Sequence, residues 1–335
     1  MTSATRERLF GLGSAFEDPA TVGMVAAVAV AVGITPLVLR FLVNRGKVSG
    51  PLEEEIRQRY NSWLVLIPLI AGPILLGAAW TILGVFILSL LCYREFARAT
   101  GLFREKAISL TVVVGILLEA LATADHWYAL FVALFPLTIA AIAAAGIVAD
   151  RPKGYIQRVG LGVLGFALFG CAMGHLGYFA NDEHYRPVLL LIFLSVELND
   201  IFAFCVGKSF GRRKLAPNTS PGKTIEGALG ALVLTTILVW IVGTAVFRGT
   251  ALGRPGYLIL LGIIISVVGQ LGDLMLSSVK RDLGIKDMGV TIPGHGGLLD
   301  RFNSLILVAP AAFHFIGYFL GIGLDQEARI FTGGQ

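Results

Sequence analysis

The sequence predicts an all-α, polytopic membrane protein: a helical bundle of nine or ten transmembrane helices with its polar, active-site loops gathered on the cytoplasmic side. Three observations predict it. Only 15% of the 335 residues are charged and 56% are hydrophobic, where a soluble chain keeps about a quarter of its residues charged. Most of the surface must therefore face something other than water. Apolar runs of bilayer length, about 20 residues, recur from near the N-terminus to residue 324. Lys and Arg, finally, concentrate in alternate connections between those runs.

Spans are expected near 20–43, 63–77, 80–97, 107–124, 127–148, 159–179, 187–206, 227–247, 257–277 and 302–324. The run 63–93 is too long for one crossing at about 1.5 Å per residue, and "LGAAWTILG" is the place for a turn. If the run crosses twice, the loops 44–62, 94–106, 149–158, 207–226 and 278–301 share one side. They hold nearly all the basic residues, among them Arg45, Arg94, Arg98, Lys153, Arg158, Arg212, Arg213 and Lys214. The other side receives "ADHW" and the acidic "NDEHYR". The positive-inside rule makes the basic side cytoplasmic and the protein integral to the cell membrane. Arg6 and Arg8 in the N-terminal tail count against this orientation. Residues 1–20 hold acidic side chains and no continuous apolar core, so a cleavable signal is not expected. Cys92, Cys171 and Cys205 lie in apolar runs without metal-binding spacing and read as small core hydrophobes. The chain divides into N-terminal transmembrane helices, 1–185, and a C-terminal region, 186–335, that carries the polar motifs.

Within that region Asp273, Ser277 and Lys280 are spaced i, i+4, i+7 and share one helical face. A carboxylate at a membrane helix end needs a cation or a wet cavity. One reading pairs Asp273 with Lys280 or Arg281. The other notes a second carboxylate, Asp300, opening the next helix in "LDRF". Two Asp at neighbouring helix ends suit a Mg²⁺ that also meets phosphate oxygens. Asp200 repeats the theme in "SVELNDIFAF", with Glu197 and Asn199 close by. Glu119, His175 and His314 are isolated within spans and are expected to make helix–helix hydrogen bonds.

The glycines around His295 in "PGHGG" exclude a regular helix and expose backbone N–H groups to a ligand. Lys280, Arg281, Lys286, His295 and Arg301 surround that loop. Cations, amides and carboxylates together at a membrane surface suit a metal–polyphosphate ligand. The "PGKT" of 221–224 is not a P-loop, which needs Gly where Pro217 stands and a strand before it. Ser220, Lys223 and Thr224 remain candidates for phosphate contact in another fold.

"SSVKRDLGIKDMGVTIPGHGGLLDRFN" resembles the signature of the phosphatidate cytidylyltransferases, the CDP-diacylglycerol synthases. Ser277, Lys280, Arg281, Lys286, Asp287, Pro293, His295, Gly296, Gly297, Asp300 and Arg301 match it, and "KLAPNTSPGKTIEG" and "NDIFAFCVGKSFG" resemble the family's second region. The resemblance implies transfer of a cytidylyl group from CTP to phosphatidate or a related lipid phosphate. It implies Asp273 and Asp300 as metal ligands for Mg²⁺, with K⁺ a candidate second cation. Lys280, Arg281, Lys223 and Lys286 would neutralise phosphates. Ser277 and Ser220 would donate hydrogen bonds, and Asp200, Thr224, Asp287, Gly296, Gly297, Arg301 and Asn303 would complete the substrate contacts. The implied partners are CTP, the lipid phosphate, the bilayer and a second copy in a homodimer, with no nucleic acid. Two positions depart from the pattern and mark a divergent branch. Leu276 stands where an acid usually follows the helix aspartate, and Asn303 replaces the last Asp of the signature. Asn199, where many members have a small residue before Asp200, is a third variation.

Three other readings compete. A CTP-dependent lipid kinase would release CDP and needs a base for its alcohol; the full H-G-G-x-x-D-R pattern favours the cytidylyltransferase. A transporter would place its polar groups near the midplane, whereas these lie at one face. A catalytically silent relative would be explained by Leu276 and Asn303.

Overall fold

The computed structural model describes residues 2–46, 49–292 and 296–333. A short helix, α1 (Ser3–Phe10), precedes the first span, α2 (Pro19–Asn44). Asp18 caps α2 by accepting the amides of Ala20 and Thr21, and Pro19 takes the first helical position, where no amide donor is needed.

Gly77 alone separates α3 (Pro51–Leu76) from α4 (Ala78–Thr100). Its φ of +139° and the Leu9 carbonyl, which a Cβ would strike, both require glycine here. Pro73 lies against Gly84, and Gln58 lines the same groove as Leu91, so α3 and α4 run antiparallel. The run therefore crosses twice, turning inside "LGAAWTILG".

Next come α5 (Lys106–Ala124) and α6 (Tyr128–Ala145). The sixth span joins α7 (Tyr155–Gly165) to α8 (Met173–Phe179) through a π-helical segment, Phe166–Ala172, whose Phe169 ring meets Phe96 at 5.5 Å. Then follow α9 (Tyr185–Phe210), a hairpin of β1 (Lys214–Ala216) and β2 (Ser220–Thr224), α10 (Ile225–Val246), α11 (Pro255–Asp282) and α12 (Leu298–Leu320). Ten helical segments among the described residues are long and apolar enough to cross a membrane. They fall on the ten expected spans, and the molecule is an integral, polytopic helical membrane protein.

The hairpin departs from the sequence reading. Lys214 pairs with Thr224 and Ala216 with Ser220, so "SPGKT" is itself a strand with another before it. Pro221 and Gly222 disfavour strands locally; pairing across the Pro217–Thr219 turn supplies what propensity does not. Pro217 still excludes a P-loop.

Polar contacts sort the loops onto two faces. Glu105 binds Arg151 and Arg158, Glu95 meets Thr291 and Leu298, and Arg281 holds Thr219, which places the basic connections on one face. On the opposite face the C-terminal segment returns, with Asp125 accepting from Phe331 and Thr332 and Glu327 accepting from Thr2 and Thr5. Arg8, which counted against the orientation, is buried there and donates to Ala180 and Asn181, so it serves packing.

The isolated intramembrane residues behave differently from expectation. His175 Nδ1 donates to the Cys171 carbonyl of its own span at 2.7 Å, and its ring meets that of His314 at 5.0 Å. Glu119 is fully buried with neither oxygen hydrogen-bonded by a described residue. The cysteines are free, and Cys92 alone is fully buried, while Cys205 is exposed on α9.

Candidate active site

Three helices set the floor of the site. Asn199 on α9 accepts from Thr235 of α10 at 3.0 Å and from Ser266 of α11 at 2.6 Å. Gln270, one turn above Ser266, donates to it and to the Ala228 carbonyl of α10. Such hydrogen bonds hold helices together where lipid offers no hydrophobic drive, although Asn199 Nδ2 has no partner among the described residues. Asn199 is therefore a brace, a role its sequence neighbourhood did not reveal. At Gly272 a Cβ would lie 2.8 Å from the Asn303 carbonyl, so glycine lets α11 and α12 touch beside the aspartate that follows.

Asp273 is half-buried at that contact. Its Oδ2 pairs with Lys223 Nζ of β2 at 2.5 Å and its Oδ1 accepts from Asn303 Nδ2 of α12 at 2.6 Å. Ser304 on the next residue donates to Asp200 at 3.2 Å. Asp200 lies within electrostatic reach of Asp273, Lys223 and Arg301. Two carboxylates, a lysine, an arginine, an amide and a hydroxyl thus converge from α9, β2, α11 and α12. The Arg301 Nε is buried without a partner among the described residues.

A second group forms one turn earlier on α12. Asp300 Oδ1 accepts from Lys280 at 2.8 Å, while Oδ2 accepts the amides of Met288 and Gly297 at 2.8 and 2.9 Å. Lys280 therefore pairs with Asp300 and Asp273 with Lys223, an exchange of partners relative to the simple helix-end pairing. The loop before α12 is fastened at both ends by one carboxylate. Gly296 has φ +81°, and a Cβ there would crowd Asp300 and Asp287. Among the described residues no hydrogen bond or ion pair links Asp273 with Asp300.

The remaining candidates divide. Ser277 is buried on the shared face of α11. Arg281 donates through Nε to Thr219 O at 3.1 Å and through Nη1 to Ile285 O at 3.3 Å, docking the hairpin on the end of α11. Lys286 and Asp287 are exposed on the loop, and Ser220 opens β2, half-buried. Thr224 is buried, and its hydroxyl accepts the Gly227 amide as the cap of α10. Pro293 and His295 lie outside the described residues.

Sequence reading missed Glu95. From the end of α4 its carboxylate accepts Thr291 Oγ1 at 2.5 Å and the amides of Leu298 and Leu299 at 3.0 and 2.8 Å. It satisfies the free donors of the first turn of α12 and meets the positive end of that helix. Cβ atoms at Gly289 and Gly297 would stand 2.8 and 2.5 Å from its oxygens, so both glycines make room for it. "YREFARAT" carries no motif that could have announced this contact.

Leu276 and Asn303 acquire physical reasons. Leu276 is 1% exposed and packs in the apolar core, where an acid would be a buried charge. Asn303 Oδ1 accepts the Ser304 amide at 2.7 Å, which turns Nδ2 toward Asp273.

The donor set fits Mg²⁺ only with help from a ligand. Mg²⁺ takes hard oxygens from one or two carboxylates, the rest coming from water and phosphates. Asp200 and Asp273 offer such oxygens side by side, and the described residues contain no group of three or more acidic, His or Cys side chains placed to cage a metal alone.

Residues 57–319 match the model of a family described as the cytidylyltransferase family. The chain is 31% identical over 292 residues to the uncharacterized protein YnbB of Escherichia coli (strain K12), covering 84% of this chain and 95% of that protein. It is 39% identical over 140 residues to the phosphatidate cytidylyltransferase of Bacillus subtilis (strain 168), covering 41% and 50% of the two chains. With the phosphatidate cytidylyltransferase of Rickettsia typhi it shares 36% over 154 residues, 45% of this chain and 68% of that protein. The match thus spans about half the length of the Bacillus subtilis relative.

Proposed function

The chain belongs to the cytidylyltransferase family, and from that premise we propose that it converts CTP and phosphatidate into CDP-diacylglycerol and pyrophosphate. The observation that carries the reading is the convergence of Lys223, Asp273, Asn303 and Asp200 from three helices and a strand. These groups lie at one face of the bundle, where a water-borne nucleotide and a lipid headgroup can meet. The density of Lys and Arg on that face favours a cytoplasmic orientation and a place in the cell membrane.

In this mechanism an oxygen of the lipid phosphate attacks the α-phosphorus of CTP. The new P–O bond forms as the bond to the bridging oxygen of the β-phosphate breaks, and pyrophosphate leaves with that electron pair. The nucleophile is already anionic, so no general base is required. The obstacle is repulsion between a lipid phosphate and a triphosphate, and neutralisation with positioning supplies the catalysis. Lys223 and Lys280 are held by Asp273 and Asp300 in the free protein, and each can turn one ammonium donor to a phosphate oxygen. Arg301 offers its Nε, which has no partner among the described residues. Mg²⁺ would be held by Asp273 and Asp200 together with phosphate oxygens and would supply charge neutralisation there, while Asp300, expected from the sequence as a second ligand, is engaged by Lys280 and the Met288 and Gly297 amides. The Gly296 amide and the Lys286 and Asp287 side chains would bind nucleotide, with the Gly297 amide committed to Asp300.

The test is turnover by the purified full chain in detergent with Mg²⁺, labelled CTP and phosphatidate, beside Asp273→Asn. CDP-lipid and pyrophosphate from the wild type, lost in the variant, support the proposal. Release of CDP with phosphate carried to a lipid alcohol would replace it with a kinase. CTP binding without turnover on any lipid phosphate would leave a silent relative.

A further inference from the structure

Outside the polar cluster, a groove of about 790 Å³ runs between α3 and α4. Its walls are aliphatic along most of its length, with Leu69, Ile87 and Leu88 among them. Apart from Thr81, whose hydroxyl donates to the Pro73 and Gly77 carbonyls, its Gln, Asn, Ser and Thr lining collects near one end, at Gln58, Asn61, Ser62 and Thr291. Thr291 is the residue that hydrogen-bonds Glu95, whose carboxylate holds the first turn of α12. That turn has two faces. Leu298 and Phe302, spaced i, i+4, line the groove, while Asp300 and Asn303 carry the polar contacts of the site. The rim is open, because Leu69 and Ile87 are 61% and 48% exposed in the span region.

The polarity gradient suits an amphiphile with its head at the site and its tail in the bilayer. A linear hydrocarbon chain suits its apolar walls, and the polar end beside the first turn of α12 suits the headgroup that the chain carries. We infer that the α3–α4 groove seats an acyl chain of the lipid phosphate, which reaches the site sideways from the bilayer past Leu69 and Ile87. The inference rests on the proposed reaction for the identity of the headgroup. Its experiment reads occupancy separately from turnover.

Trp80 lines the groove and reports on it. The full chain with Trp63, Trp127 and Trp240 changed to Phe is placed in phosphatidylcholine nanodiscs. A small fraction of either phosphatidate or phosphatidylcholine brominated on the acyl chains is then added. The expected result is quenching of Trp80 by brominated phosphatidate at a several-fold lower mole fraction than by brominated phosphatidylcholine. Equal quenching by the two overturns the inference, since the groove would then take any bilayer lipid. This arm decides even if no CDP-lipid is formed, in which case the reaction fails and selective quenching still assigns the groove.

A second arm narrows the groove with Leu83→Phe and Ile87→Phe together, on residues outside the polar site. The KM for dipalmitoyl phosphatidate should rise about tenfold, the equivalent of about two buried methylenes. The KM for water-soluble dihexanoyl phosphatidate and both kcat values should stay unchanged. An equal rise for both lipids would mean a distorted site and would overturn the assignment.

Discussion

Asn303 donates its amide to Asp273 at 2.6 Å across the α11–α12 contact, and its own carbonyl oxygen is held by the Ser304 amide at 2.7 Å. A neutral donor thus stands where the family signature carries an acid. Restoring that acid with Asn303→Asp would set two carboxylates in contact, and like charges so close resist joint ionisation. Without divalent cation the variant should be less stable by about 1–3 kcal/mol and should gain more from Mg²⁺ than the wild type does. Thermal unfolding in detergent, with Mg²⁺ and with chelator, reads the difference.

Lys223 and Lys280 lie in separate bonded groups and should fail differently. Lys223→Gln removes the cation at the Asp273–Asp200 cluster, and kcat/KM should fall by about 10²–10³, the loss typical of one charge-stabilising donor. Lys280→Gln frees one oxygen of Asp300, which keeps the Met288 and Gly297 amides. Its main effect should fall on KM for CTP. Steady-state kinetics of the two variants separate these outcomes.

Glu95 reaches from the fourth helix to the first turn of the twelfth. Glu95→Ala leaves the Leu298 and Leu299 amides without that acceptor and frees Thr291, which should cost about 1–3 kcal/mol. Gly297→Ala should weaken the same contact from the other side, because its Cβ would stand 2.5 Å from a Glu95 oxygen. Both variants should show faster hydrogen exchange at 288–299 than the wild type, with the end of α11 unchanged.

The hairpin depends on a planar donor. Arg281 serves the Thr219 and Ile285 carbonyls at once. A lysine presents a compact point charge and does not reproduce that fork. Arg281→Lys should therefore speed limited proteolysis in the 217–219 turn, while Lys286→Gln on the exposed loop should leave it unchanged.

On the opposite face, His126 Nε2 donates to the Gly323 carbonyl at 2.8 Å, and Nδ1 is buried without a partner among the described residues. Burial, outweighing that hydrogen bond, holds the imidazole below its ordinary range. The unfolded chain therefore takes up a proton first, and stability falls as pH drops through about 6.5. Neighbouring Asp125 behaves otherwise. Burial pushes its carboxyl up, but donors from Thr332 and Phe331 outweigh this and hold it low, so its contribution is lost only below about pH 4. Between about pH 7.5 and about pH 5.5 the wild type should lose more thermal stability than His126→Asn, which keeps a donor but does not titrate.

The ten spans, the turn inside "LGAAWTILG" and the gathering of basic loops on one face were legible because hydropathy and charge are local properties, readable within a window the length of a helix. The signature residues were legible as a set for the same reason. Their pairings were not. Helical periodicity placed Asp273 and Lys280 on one face of α11, yet the folded chain gives Asp273 to Lys223 on a strand and Lys280 to Asp300 on another helix. Asn303 lies 30 positions from its partner, and Glu95 lies 203 from Leu298. Nothing near Glu95 in the sequence marks it. The chain's own order of residues determined that this is a helical membrane protein with a polyvalent polar face. Tertiary packing alone decided which carboxylate meets which cation, because a buried charge takes the nearest donor in space, and that donor comes from whichever helix the apolar contacts bring alongside.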